Sequence, residues 1–134
     1  MQLRNLDDAT DTYRPGACNI GPDEIARRRR AGMAGVGIGV AIAVGLVVVG
    51  APAWTRIAIL PPLAGGIISL EQARRRFCVG FAMAGLRNFG ALGGQTSVED
   101  DSARAADRRA ALLMVLQGTL AAAGLTALFV LLPA

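Results

Sequence analysis

The sequence contains no histidine and no lysine, and only 18% of its 134 residues are charged, against roughly 25% in a soluble globular domain. Without imidazole, the commonest general base and metal ligand is missing. The two cysteines, Cys18 and Cys78, are sixty residues apart with no Cys-x-x-Cys spacing. Two thiols and no histidine cannot close a four-ligand zinc site within one chain. They are also too sparse for a disulfide framework, so both are expected as reduced thiols. Aromatic residues make up only 4% of the chain, which leaves little of the bulk that a water-soluble core of this size would use. No cofactor and no metal site are expected.

What is abundant is small and apolar. Hydrophobic residues account for 53%, alanine contributes 25 residues and glycine 17, and the mean hydropathy is +0.45. Such a composition excludes disorder, which needs low hydrophobicity and high charge, and the length allows one domain. The net charge of +4 rests on fourteen arginines.

Two long apolar runs set the expected architecture. Residues 31–50 are twenty residues without a charge, ~30 Å as a helix, the thickness of a bilayer hydrocarbon core. Residues 110–132 are twenty-three, with Gln117, Thr119 and Thr126 as the polar interruptions. A weaker third span covers 53–70 and overlaps a short outer turn at 51–56. It contains Arg56, placed to snorkel to the headgroups, Trp54 as an interfacial anchor, and Pro61-Pro62, which should kink or break it near its middle. The apolar stretch 77–86 is only ten residues long, so 71–94 is expected as an interfacial or re-entrant helix within a loop spanning 71–109. A fourth span running through Arg87 is the alternative. The expected fold class is therefore all-α: an integral membrane protein with three transmembrane helices and one cytoplasmic surface helix. Ala51-Pro52-Ala53 imitates a signal cleavage site, but the preceding apolar run exceeds the ~7–15 residues of a signal core.

Arginine placement gives the orientation. Arg27, Arg28, Arg29 and Arg30 abut the first span, Arg74, Arg75 and Arg76 follow the second, and Arg108-Arg109 precede the third. Cytoplasmic loops carry such an excess. The expectation is the inner (plasma) membrane of a cell, with residues 1–30 inside and the carboxyl terminus outside.

Three groups of residues are candidates for function. The first is the loop holding Tyr13, Arg14, Cys18 and Asn19, punctuated by Pro15-Gly16 and Gly21-Pro22; it reads either as a structured entry to a helix or as a docking loop. Arg14 and the arginine run could activate Cys18, but no histidine base accompanies it. The second is Cys78, Arg87 and Asn88, expected on the same cytoplasmic surface, where the two cysteines could meet. The third is the small-residue spacing of Gly35 with Gly39, and of Gly118 with Ala122, which permits close helix packing within the chain or with another one. The acidic stretch 99–101 and Asp107 read as solvated linker, with Asp101-Ser102 as a helix cap. The arginine clusters lack any stacking pattern or nucleic-acid module, so no nucleic-acid partner is expected.

The stretches Tyr13 to Pro22, Phe77-Cys78-Val79-Gly80-Phe81 and Asn88-Phe89-Gly90 resemble a group of small bacterial multi-pass membrane proteins, over roughly residues 13–94. That resemblance implies a class and no activity. The expected partners are the lipid bilayer and other membrane subunits or further copies of the chain. The function expected first is an accessory, assembly or interaction subunit of a membrane complex. An oligomeric small-solute or ion transporter is the alternative. An enzyme built on Cys18, Glu71 or Cys78 is disfavoured, because no nucleophile, base and stabiliser converge by spacing.

Overall fold

A computed structural model describes residues 13–133. Residues 1–12, the first part of the expected inside segment 1–30, and Ala134 lie outside the described residues. The chain is mostly helical, with three helices long and apolar enough to cross a membrane.

Helix α1 runs Pro22–Val48. It starts nine residues ahead of the apolar run, because Pro22 fits the first helical position, where its missing N–H costs nothing, and Asp23 and Glu24 favour the positive end of the dipole. The chain reverses at Gly50, whose φ of +66° is open to glycine. A 3-10 helix, Ala53–Ile59, then continues directly into α2, Leu60–Arg75. The two prolines therefore do not break a helix at its middle. They occupy the first turn of α2, where no intrahelical donor is required of them.

The expected surface helix over 71–94 is not formed. Residues 71–75 belong to α2, which is closed by Arg76 in the left-handed region at φ 56°. A six-residue helix α3, Val79–Ala84, follows and stops at Gly85. Leu86–Arg87 (β1) then pairs antiparallel with Thr96–Ser97 (β2). Helix propensity fails here because Gly85, Gly90, Gly93 and Gly94 interrupt the segment, two of them at positive φ. Helix α4, Asp101–Leu131, begins nine residues ahead of its apolar stretch. Its N-cap is Asp100, whose carboxylate accepts from the Ala103 amide at 3.2 Å and from the Ser102 hydroxyl at 2.6 Å. The cap thus sits one residue before the expected pair.

Glycine sets the distance between helices. On α1, a Cβ at Gly32 would lie against Leu70, one at Gly35 within 2.8 Å of the Gly66 Cα, and one at Gly39 beside Leu63. Ascending positions on α1 thus meet descending positions on α2, so the pair is antiparallel. Gly118 of α4 lies over Ile68 on α2, which packs against both α1 and α4. Gly35, Gly39 and Gly118 accordingly make contacts within the chain. The remaining helix faces are apolar and exposed, including Val44, Val48, Leu120, Leu128 and Leu131. Apolar faces of this extent are foreign to monomeric soluble proteins. The compact hydrophobic cluster, Phe77, Ala82, Ala111 and Met114, lies where α3 packs against α4.

Because α1, α2 and α4 alternate in direction, Arg27 to Arg30, Arg74 to Arg76 and Arg108-Arg109 fall at one end of the bundle. Among the described residues Arg56 alone lies at the other end. It does not extend outward as expected: only 4% exposed, it donates from Nη1 to the carbonyls of Phe129 (2.9 Å) and Leu132 (2.8 Å) and lies over the Phe129 ring at 5.0 Å. The reason is electrostatic. The last carbonyls of a helix lack intrahelical donors and carry its negative dipole end, and a guanidinium satisfies both.

Two outcomes follow for stability in detergent. A Cβ at Gly66 would meet the Val36 amide nitrogen at 2.6 Å, whereas one at Gly37 would meet nothing within 4 Å. Gly66→Ala should cost about 1–3 kcal/mol, and Gly37→Ala should leave the thermal unfolding midpoint unchanged or slightly raised. Arg56→Met should cost about 1.5–3 kcal/mol, the range for hydrogen bonds to a charged group, and Arg56→Lys should recover part of it in the same melting assay.

Candidate functional site: a folded polar cap

At the arginine-rich end, residues 13–21 and 76–100 fold together. Arg14 to Ala17 form a tight turn, with the Ala17 amide donating to the Arg14 carbonyl at 3.0 Å. Pro15 and then Gly16 at φ +70° are the residue types that such a turn requires. The turn is moored to α4 by Asp107. Its Oδ1 accepts from the Gly16 amide at 2.7 Å and its Oδ2 from the Tyr13 hydroxyl at 2.5 Å. Asp107 is fully buried, which corrects the expectation of a solvated linker carboxylate. Burial first, and then the hydrogen bond and negative charge of Asp107, hold the Tyr13 phenol above its usual range.

The next residues run as an extended strip between two other segments. The Asn19 amide nitrogen of the main chain donates to the Arg76 carbonyl at 3.1 Å, and the Asn19 carbonyl accepts from the Asn88 amide at 2.9 Å. The Gly21 amide donates to the Asn88 carbonyl at 2.9 Å, giving a parallel bridge between Ile20 and Asn88. Glycine is required at 21 because a Cβ there would meet the Phe89 carbonyl oxygen at 2.7 Å. The Asn19 side chain, with no exposed surface, behaves as a piece of backbone: Nδ2 donates to the Cys78 carbonyl (3.1 Å), and Oδ1 accepts from the Cys78 amide (2.6 Å). Asn88 does similar work, donating from Nδ2 to the Ala91 carbonyl (2.9 Å) and Glu24 Oε1 (3.3 Å), and accepting from the Gly90 amide (3.0 Å).

Below these asparagines lies a charge cluster around a buried carboxylate, which the sequence reading missed. Glu24, 1% exposed, is 2.9 Å from Arg27 and 3.8 Å from Arg28. Arg28 Nη2 also reaches the Cys78 sulfur at 2.7 Å. Two of the four consecutive arginines therefore neutralise a carboxylate within the fold, while Arg29 and Arg30 are exposed. The i+3 and i+4 spacing of Arg27 and Arg28 after Glu24 was a legible signal for this pairing.

Of the candidate residues, Tyr13, Cys18, Asn19, Cys78, Arg87 and Asn88 are all gathered in this cap. Cys18 and Cys78 are buried rather than presented, and Asn19 and Asn88 hold main chain rather than face solvent. Arg14 is exposed. Arg74, Arg75 and Arg76 are exposed as well. Arg87 lies over the Tyr13 ring at 5.3 Å, and the two form one wall of an open cleft of about 530 Å³ completed by Asn88, Phe89, Gln95 and Thr96. Among the described residues no group of three or more cysteine or carboxylate side chains is placed to hold a metal ion. What this arrangement provides is a surface with a cation, an aromatic ring and amide groups around one cleft, which suits recognition. Compared with known family models, curated proteins and solved structures, the chain has no significant match.

The chain contains a single tyrosine, so the phenol can be titrated by its ultraviolet absorbance. Tyr13 should remain protonated past the usual phenol value of about 10, and Asp107→Asn should bring its midpoint down. Since the folded value is raised, the contribution of Tyr13 to loop docking is complete below about pH 10. It is lost as pH climbs through the folded value.

Proposed function

We propose that this protein is a small integral membrane protein of a bacterial inner membrane, acting as an accessory or interaction subunit of a larger complex. Its arginine-rich end and polar cap are cytoplasmic and its carboxyl terminus is outside. Three apolar helices with uncovered apolar faces support the embedding, and the gathering of arginines at one end supports the orientation.

The observation that carries the interaction role is the cap. A connection of this length between packed helices is usually disordered or functional. Here the connection between α2 and α4 is ordered by two buried asparagines, one of which, Asn88, also donates to the buried Glu24 carboxylate. Joining two helices does not require that investment. A surface that must keep one shape for a partner does. The cleft walled by Arg87 and Tyr13 is the part of this surface with the chemistry to recognise such a partner. A solute pathway has less support, because Arg56, the cation suited to draw anions at the other end, is engaged with the protein's own carbonyls.

A photocrosslinking residue at Gln95, which is exposed beside the cleft, should give one discrete larger adduct in intact cells, and the same residue at Ile57 should not give that adduct. Recovery of only the lone monomer in both cases overturns the role. In the same cells, a thiol placed by Arg30→Cys should be closed to an impermeant reagent and one placed by Ala53→Cys open to it. The reverse pattern overturns the orientation.

A further inference from the structure

A second cleft, of about 570 Å³, opens on the side of the bundle between the end of α2 and α4. Arg74 and Arg75 form one side, Leu113, Met114 and Gln117 the other, and the turn at Gly16 covers its polar end. We propose that this cleft binds the phosphodiester headgroup of an anionic phospholipid; the inference rests on the membrane-embedded reading and goes beyond it by naming a ligand.

Three features converge. The first is depth: on α2 Arg74 and Arg75 come one turn after Leu70, the last residue of the apolar span, and on α4 the apolar stretch begins at Ala110, directly after Arg108-Arg109. The cleft therefore sits where charge gives way to hydrocarbon, the level of lipid phosphates. The second is charge. Arg74 contacts Glu71 through Nε (2.9 Å) and Nη2 (2.8 Å), and Arg75 contacts it through Nε (2.9 Å). Two guanidiniums thus share one carboxylate, leaving a net positive charge. That carboxylate orients both forks, and Arg75 Nη2 reaches across to Gln117 Oε1 at 3.4 Å. Planar guanidinium forks match phosphate oxygens in pairs. The third is shape. From the cleft, Leu113, Leu116 and Leu120 continue along α4 as an exposed stripe at i, i+3 and i+7. Such a stripe gives an acyl chain a track leading away from the headgroup. A soluble phosphate ester would use the arginines and leave that track unused.

The test uses full-length protein stripped of lipid in detergent, mixed with phosphatidylglycerol or phosphatidylcholine, with retained lipid counted by native mass spectrometry. The wild type should retain phosphatidylglycerol in preference to phosphatidylcholine. Arg74→Gln combined with Arg75→Gln should lower that retention roughly 25-fold, about fivefold for each arginine beside anionic lipid. Arg29→Gln combined with Arg30→Gln removes equal charge from exposed positions at the same end and should leave retention in place. Ala110→Leu narrows the cleft without touching a charge and should also lower retention, so the result does not depend on the double variant folding. No preference in the wild type, equal losses in both arginine pairs, or full displacement by soluble glycerol phosphate would each overturn the site. Carbonate extraction separates the two levels: release of the protein from membranes defeats the embedding, while firm embedding without lipid preference defeats this site alone.

Discussion

Buried main-chain groups must find partners, and in this protein two asparagine side chains meet that requirement where regular structure ends. Asn19 and Cys78 are 59 residues apart in sequence yet exchange a reciprocal pair of hydrogen bonds, as neighbouring strands would. Asn88 then holds the other edge of the same strip. The position of the entry loop, the direction of the chain after α2 and the shape of the recognition cleft all depend on these contacts. Removing either amide would leave several donors and acceptors buried without partners at once, and each such group is costly. An aspartate at 19 would be of similar size and still unsuited, since it would set an acceptor against the Cys78 carbonyl.

The helices were legible because their signal is long and local. Apolar runs about twenty residues in length need no tertiary information, and the true helix starts differ only because Pro22 and Asp100 set them further out than the apolar residues do. The cap was legible only as a list of unusual residues. Tyr13, Asn19, Cys78 and Asn88 stood out, but their roles depend on contacts between segments 59 to 94 positions apart. Sequence spacing carries no trace of such contacts. Asp107 was misjudged for the same reason: an aspartate in a polar, charged stretch looks solvated until the turn that covers it is known. Glu24 could have been read correctly from its spacing to Arg27 and Arg28. The pair Pro61-Pro62 shows how an apolar run can hide a change of helix type, from 3-10 to α, that makes the prolines harmless.

Charge and glycine divide the labour between the two halves of the molecule. Within the bundle, polar anchoring is scarce, and the α1–α2 distance is governed by the absence of side chains at Gly35 and Gly66. At the cap, few helices remain, and specificity comes from carboxylates and amides that each have several assigned partners. Arginine serves both halves. Arg28 and Arg27 neutralise Glu24 inside the cap, while Arg74 and Arg75 mark the boundary between the two regimes.

The guanidinium of Arg56 has a consequence for the order in which the protein comes into being. Its acceptors lie 73 and 76 positions later in the chain. While the ribosome is still making α4, the first two helices can already pair, yet their one distal cation has no carbonyl to meet. Closure of the bundle is therefore tied to completion of residues 129–132, and a polypeptide truncated before them would leave a guanidinium without the carbonyls that answer it.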